Sequence, residues 1–444
     1  MKLDTRRTLL VGFAFLSISA FWQLYDNVVP LILKYTFQMK DGPSGIIMSL
    51  DNILALFLLP LFGALSDRTR TRLGRRTPFI LAGTAVAIVL MNLLPFADAQ
   101  RNLGLFIGAL AALLVAMGTY RSPAVALMPD VTPKPLRSKG NAIINLMGTL
   151  GGIFTLAATM FLPKRIDGGN NYTLLFLTVS VLMAVAVITL LLTVRENKLA
   201  AETTAINDAY DAQEAARQTP QEQKAEELAK TRAASGLRSL SPEVRRSLML
   251  ILFSIFFWFM GYNAVTTVFT KYVLTQWNYS LDVASRFLMI ATGAALLSYI
   301  PVGNLSARFG RKRMIQFGVL LLTLNFAALG LFQSFSGVLY GVFALVGIAW
   351  AAINVNSYPM VVEISKSADV GQFTGYYYTF SMAAQIVTPI LSGYLMQFFG
   401  YRILAPYAAV MVAISFVTIS LTRHGDAKPT KPAAPLEAFD VEGD

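Results

Sequence analysis

Runs of about eighteen or more mostly apolar residues recur along the whole chain, and its charged residues fall in clusters between them. A helix of that length crosses the hydrocarbon core of a bilayer, so the pattern excludes a water-soluble core and predicts a protein threaded repeatedly through a membrane. Hydropathy places spans at about 9–34, 44–66, 77–97, 103–129, 141–163 and 172–194, then, after a polar gap, at about 246–272, 283–306, 313–334, 336–362, 373–398 and 401–422. The fold class is therefore an all-α membrane protein of twelve transmembrane helices. It divides into a six-helix bundle over 1–194, a cytoplasmic linker over 195–245 that is helical in part, a second six-helix bundle over 246–422 and a disordered tail over 423–444.

Short loops rich in Lys and Arg stay in the cytoplasm. With the N-terminus on that side, so are Arg6, Arg7, the cluster from Arg68 to Arg76, Lys134 to Lys139, Arg308 to Arg313 and the tail, and both termini are cytoplasmic. The net charge of +12 follows from this topology and from anionic lipid headgroups; basic residues interrupted by spans do not form a nucleic-acid surface. The expected location is a cell membrane, multi-pass, of the bacterial cytoplasmic type, with membrane lipid as a partner and the chain a monomer. Lys2, Arg6 and Arg7 precede an apolar run that continues to Leu33 without a small-residue cleavage site, so it reads as a retained helix.

Cysteine is absent and the one histidine, His424, lies in the tail. There is no nucleophile triad, phosphate-binding glycine loop or metal-ligand spacing, so no enzyme activity, cofactor or metal is expected. Any proton relay within the membrane falls to carboxylates.

The two halves echo each other. GALSDRTRTRLGRR (Gly63 to Arg76) closes the second span and GNLSARFGRKR (Gly303 to Arg313) the eighth; ALMPD ends the fourth at Asp130 and PMVVE the tenth at Glu363. Repeats in register predict duplicated halves in parallel orientation.

The loop Gly63, Asp67, Arg68, Gly74, Arg75, Arg76 resembles the signature of the major facilitator superfamily. Its spacing in SDRTRTRLGRRTPFI, with DNILALFLLPLFG before it, is similar to the glycoside-pentoside-hexuronide:cation symporter branch, which includes melibiose carriers and lies close to proton-coupled sucrose carriers. The resemblance implies two pseudo-symmetric six-helix bundles and cation-coupled, here proton-coupled, symport of a sugar or glycoside by alternating access. The sodium-binding acids of melibiose carriers would stand near Ala55 and Leu59, where this chain has none. PAVALMPD (Pro123 to Asp130) resembles a sucrose-carrier segment, with Val125 at its arginine and Arg121 one turn earlier.

Ionisable groups in a span cost about 2.5–3.5 kcal/mol to insert and mark pathways or partners. Asp26, Asp51 and Arg121 qualify, with Arg286 a weaker candidate. Asp51 and Asp26 are the expected coupling carboxylates. Arg121, Trp22, Gln23, Asn27, Asn141, Asn145, Tyr262, Asn263, Asn354, Asn356, Tyr377 and Gln385 are the expected substrate-binding set, polar and aromatic groups suited to a hydroxyl-rich, mostly neutral ligand. Gly63, Asp67, Arg68, Gly74, Arg75, Arg76, Asp130 and Glu363 are the expected gating residues, with Asp67 pairing Arg68 or Arg75 and accepting from the start of the eleventh span near Gly371 to Phe373. Two other functions fit the same architecture: a lysolipid or drug carrier, and a non-transporting membrane sensor.

Overall fold

The structure is a computed structural model, and it describes residues 3–161, 171–217, 240–364 and 370–426. It is all-helical: among the described residues there is no strand, only an isolated bridge between Thr71 and Gly74. The N-terminal half holds α1 (Thr5–Leu31), α2 (Asp41–Arg68), α3 (Thr77–Ala99), α4 (Leu103–Asp130), α5 (Arg137–Ala158) and α6 (Thr173–Thr193). After the polar helix α7 (Glu196–Arg217), the second half holds α8 (Pro242–Gln276), α9 (Leu281–Phe309), α10 (Arg311–Leu329), α11 (Val338–Val362), α12 (Val370–Phe399) and α13 (Leu404–Ser420). Twelve of these helices are long and apolar enough to cross a membrane.

Each half is packed around its own core. Phe21, Met91, Leu113 and Phe176 are buried together in the first; Trp258, Phe269, Phe326 and Phe343 in the second. With lipid as apolar as leucine, helices associate by close van der Waals approach, which small residues permit. Accordingly, a Cβ on Gly151 would lie 2.2 Å from the Leu16 carbonyl oxygen, and one on Gly347 2.0 Å from that of Ala291. The first span is longer than hydropathy sets it: α1 continues past Pro30 into a π-helical turn, Ile32–Thr36. The second begins at Asp41, and α8 begins at Pro242 with Ser241 accepting from the Val244 N–H.

The start of α1, α7 and the residues just after α13 lie at one end of the bundle, where the Arg7 guanidinium donates to the carbonyls of Val131 and Leu199 and His424 bonds Ser247. Two carboxylates finish the halves there in parallel fashion. Glu196, just past α6, is 1% exposed and accepts from the backbone N–H groups of Arg75, Arg76 and Thr77 and from the Thr77 hydroxyl, at 2.7–3.1 Å. Asp426, just past α13, accepts from the Lys312 N–H at 2.9 Å. A carboxylate suits the positive end of a helix dipole and its unpaired N–H groups. Room for each acid comes from a glycine at positive φ, Gly74 at 125° and Gly310 at 92°; a Cβ on Gly74 would sit 2.1 Å from Glu196 Oε2. Residues just after α13 are thus held to the bundle, His424 by a 2.9 Å hydrogen bond to Ser247, while the tail from 427 onward lies outside the described residues.

The halves meet at the opposite end. Thr270 donates to Asn27, Tyr35 bonds Thr275 (2.8 Å), and Thr159 bonds Ser285 (2.7 Å). The α2 and α12 backbones touch: a Cβ on Gly45 would lie 2.1 Å from the Pro389 carbonyl oxygen, and one on Gly393 2.5 Å from that of Asp41.

Glu196→Ala should destabilise the purified protein by about 2–3 kcal/mol, because it orphans several buried N–H donors at once. Asp426→Ala, at an exposed site with one N–H, should lower the unfolding temperature much less; melting curves of the two variants in one detergent check the order.

Candidate functional site

Between the halves lies a cavity of about 880 Å³, lined from α1, α2, α4 and α5 on one side and from α8, α9, α11 and α12 on the other. Of the residues singled out from sequence, Trp22, Gln23, Asp26, Asp51, Arg121, Asn141, Asn145, Asn263, Asn354 and Gln385 line it.

Asp26, Asp51 and Arg121 form one electrostatic cluster, with Asp51 acting on Asp26 and the guanidinium on both acids. Asn52 donates its amide to the two Asp51 oxygens at 2.9 and 3.0 Å. The Arg121 guanidinium also stands 5.4 Å from the Trp22 ring centroid, a cation–π contact. The Trp22 indole N–H is buried and makes no hydrogen bond among the described residues. Two carboxylates face one arginine, so the ionised cluster carries one negative charge in excess. One added positive charge would neutralise it.

The opposite wall differs in character. Apart from Lys271, its polar lining is uncharged: Asn263, Thr266, Thr267, Thr292, Tyr299, Asn354, Tyr378, Ser381 and Gln385. The cavity is thus two-faced: its carboxylates and its arginine all stand on the N-terminal half, beside neutral groups such as Gln23, Asn141 and Asn145, while the C-terminal half adds neutral hydrogen-bonding groups and Lys271.

Four expected binding residues stand elsewhere. Asn27 is buried, donating to the Gln23 carbonyl and accepting from Thr270, so it joins the halves beside the cavity. Tyr262 lies flat on Trp350, ring centroids 3.7 Å apart. Asn356 is buried with its amide on the Ala352 carbonyl. Tyr377 is 1% exposed, its hydroxyl 3.2 Å from that of Ser357, and the neighbouring Tyr378 faces the cavity instead. Arg286 is half exposed and pairs with Asp282 one turn away, an ordinary surface pair on α9.

The gating set is drawn together at the terminal end, with different partners from those expected. Asp67 pairs with Arg76 rather than with Arg68, which is exposed, or Arg75. Arg76 is 5% exposed because it also reaches Asp130 (2.8 Å) and Ser66; Arg75 takes the outer face of Asp130. Gly63 lets α2 approach Ser122 of α4, and its carbonyl accepts from Ser66. In the second half Arg311 pairs with Glu363, the counterpart of the Arg75–Asp130 pair.

Missed from sequence were Lys271 and Asp41, both lining the cavity and both buried, and the pair Thr266 and Thr267 one turn beyond Asn263. Lys271 and Asp41 occur near predicted span ends, where a charge reads as interfacial.

A family model for the Major Facilitator Superfamily matches residues 11–298 and 251–441. The chain belongs to this superfamily. It is accordingly a multi-pass membrane transporter and not an enzyme. Among curated proteins it is 31% identical over 139 residues to human Proton-associated sugar transporter A, a match spanning 29% of this chain and 18% of that relative. Among solved structures it resembles a D-xylose-proton symporter (TM-score 0.66, 14% identity, 94% of this chain and 97% of that one) and the nucleoside transporter NupG (TM-score 0.68, 13% identity, 94% and 100%). It also resembles a POT family transporter in complex with 5-aminolevulinic acid (TM-score 0.67, 13% identity, 93% and 94%). At these identities the likeness is one of fold.

The adjacent tyrosines offer a direct check of the geometry. Tyr378→Phe is expected to weaken substrate binding several-fold, and Tyr377→Phe to lower thermal stability while leaving affinity within about two-fold, since its buried hydroxyl bonds Ser357 of its own half. Titration calorimetry and melting curves on both variants separate the two effects.

Proposed function

We propose that this transporter carries a sugar or glycoside together with a proton, as a symporter of the glycoside-pentoside-hexuronide type. The observation that carries the reading is the two-faced cavity. An excess carboxylate charge on one half is suited to take up one proton, and the neutral Asn, Gln, Ser, Thr and Tyr side chains on the other are suited to hydroxyl groups. A volume of about 880 Å³ is ample for a disaccharide and lies toward the upper end of small-molecule sites, roughly 300–1,000 Å³. The proton-linked sugar transporters among its likenesses support the same reading.

In this reading the terminal end is cytoplasmic, because it carries the basic loops. The contacts between halves then close the outer face and the cavity faces inward. Asp51, with Asp26 beside it, holds the proton during loading from outside; Arg121 fixes the cluster and donates to substrate oxygens through its planar fork of N–H groups. The paired Arg75, Arg76, Asp67 and Asp130 hold α2, α3 and α4 as a unit, and the inner gate is assembled on them.

Uptake of labelled mono- and disaccharides into proteoliposomes, with and without an imposed proton gradient, tests the assignment. Gradient-driven accumulation of at least one sugar is expected, and a panel in which none is accumulated would sink it. Asp51→Asn, which keeps shape and mimics the protonated acid, should abolish accumulation yet retain exchange across the membrane. Arg121→Lys should lose uptake by about ten-fold or more while inserting normally, because a point ammonium cannot reproduce the fork.

A further inference from the structure

At the closed end one carboxylate is shared by the two halves. Asp41, at the first turn of α2, is 6% exposed. Its Oδ2 lies 3.1 Å from Lys34 Nζ, in its own half, and its Oδ1 lies 2.9 Å from Lys271 Nζ, on α8 of the other. The Tyr401 hydroxyl, also from the other half, donates to Oδ1 at 2.7 Å, and Lys34 stands 4.7 Å from the Tyr401 ring centroid. Lys34 is carried to this place by the π-helical turn that follows Pro30. Lys271 is 4% exposed.

The same carboxylate is a partition. Asp41 and Met396 line both the central cavity and a second, outer pocket of about 290 Å³ that is bordered by Lys34, Gln38, Lys40 and Gln397. Where Asp41 meets Lys271, the two spaces are separated. The α2 and α12 backbones touch beside it at Gly45 and Gly393.

We infer that Asp41 is a charge switch between two lysines, held by both when this end is closed and by Lys34 alone when it opens. The halves of this fold move as bodies about the central site, so any opening here separates Asp41 from Lys271 and Tyr401 but leaves Asp41 and Lys34 together. An isolated buried charge is costly, and Lys34 removes that cost from the open state by remaining with the carboxylate while Lys271 passes into water. In the closed state the same Lys34 repels Lys271 across the carboxylate.

The two lysines therefore bias the molecule in opposite directions although they share one partner. Loss of Lys271 removes attraction present only in the closed state. Loss of Lys34 removes both the counter-charge of the open state and a repulsion of the closed one.

The chain has no native cysteine, so a single introduced thiol reports access cleanly. With Leu296→Cys, on the cavity wall, a membrane-impermeant maleimide is applied to intact cells and, separately, to inside-out vesicles. Lys271→Ala should raise labelling from the face at the closed end by about ten-fold, and Lys34→Ala should lower it below that of the parent. Should Lys271→Ala fail to accumulate in the membrane, Lys271→Met, which fills similar space without a charge to bury, gives the same reading. Shifts of the same sign for the two lysines, or no shift from either, would overturn the switch. Insertion in the opposite orientation would exchange the two faces for every variant alike and leave the opposite signs intact. The readout needs no substrate, so it stands whether or not the cargo is a sugar.

Discussion

Hydrocarbon offers no hydrogen bonds, and that constraint governs everything else in this molecule. It forces the backbone into helices and leaves polar side chains only the interior of the protein. It also makes each intramembrane charge answerable to a nearby partner. Asp26, Asp51 and Arg121 meet the requirement by gathering on the wall of the large space between the halves, and Asp41 meets it between two lysines. Charge placement and cavity are two aspects of one solution: water reaches the charged groups where the bundles part, and ion pairs hold them where the bundles join.

How much of this was legible depends on the length scale of the signal. Twelve spans, two halves and the paired loops were readable because hydropathy and repeats extend over tens of residues. The aligned acids Asp130 and Glu363 were readable as counterparts for the same reason, and each does meet an arginine of its own half. Facing direction within a helix was harder. Among three consecutive tyrosines only packing decides which turns inward, and here Ser357 claims Tyr377 and leaves Tyr378 to the cavity. Gln23 and Asn27 share a helix face by spacing, yet a partner on α8 draws Asn27 into the contact between halves.

Charges at span ends were least readable. Hydropathy cannot tell a lysine that reaches water from one buried against an acid that is 230 residues away in sequence, and Lys271 with Asp41 is the second kind. The partner of Asp67 was misread for a related reason. Spacing favours Arg68, but burial of Arg76 among Ser66, Asp67 and Asp130 gives it three acceptors, and a guanidinium has donors for all of them.

The acids that finish the two halves have an evolutionary implication. Glu196 and Asp426 each sit shortly beyond a sixth span, and each folds back onto the third helix of its own half next to a glycine that makes room for it. Neither cap borrows anything from the other half. A six-helix ancestor ending a few residues past its last span would already have carried this device, so duplicating and fusing its gene required only a connector after the first copy. The present chain retains that modularity: at the terminal end each bundle is closed by an acid that follows its own sixth span.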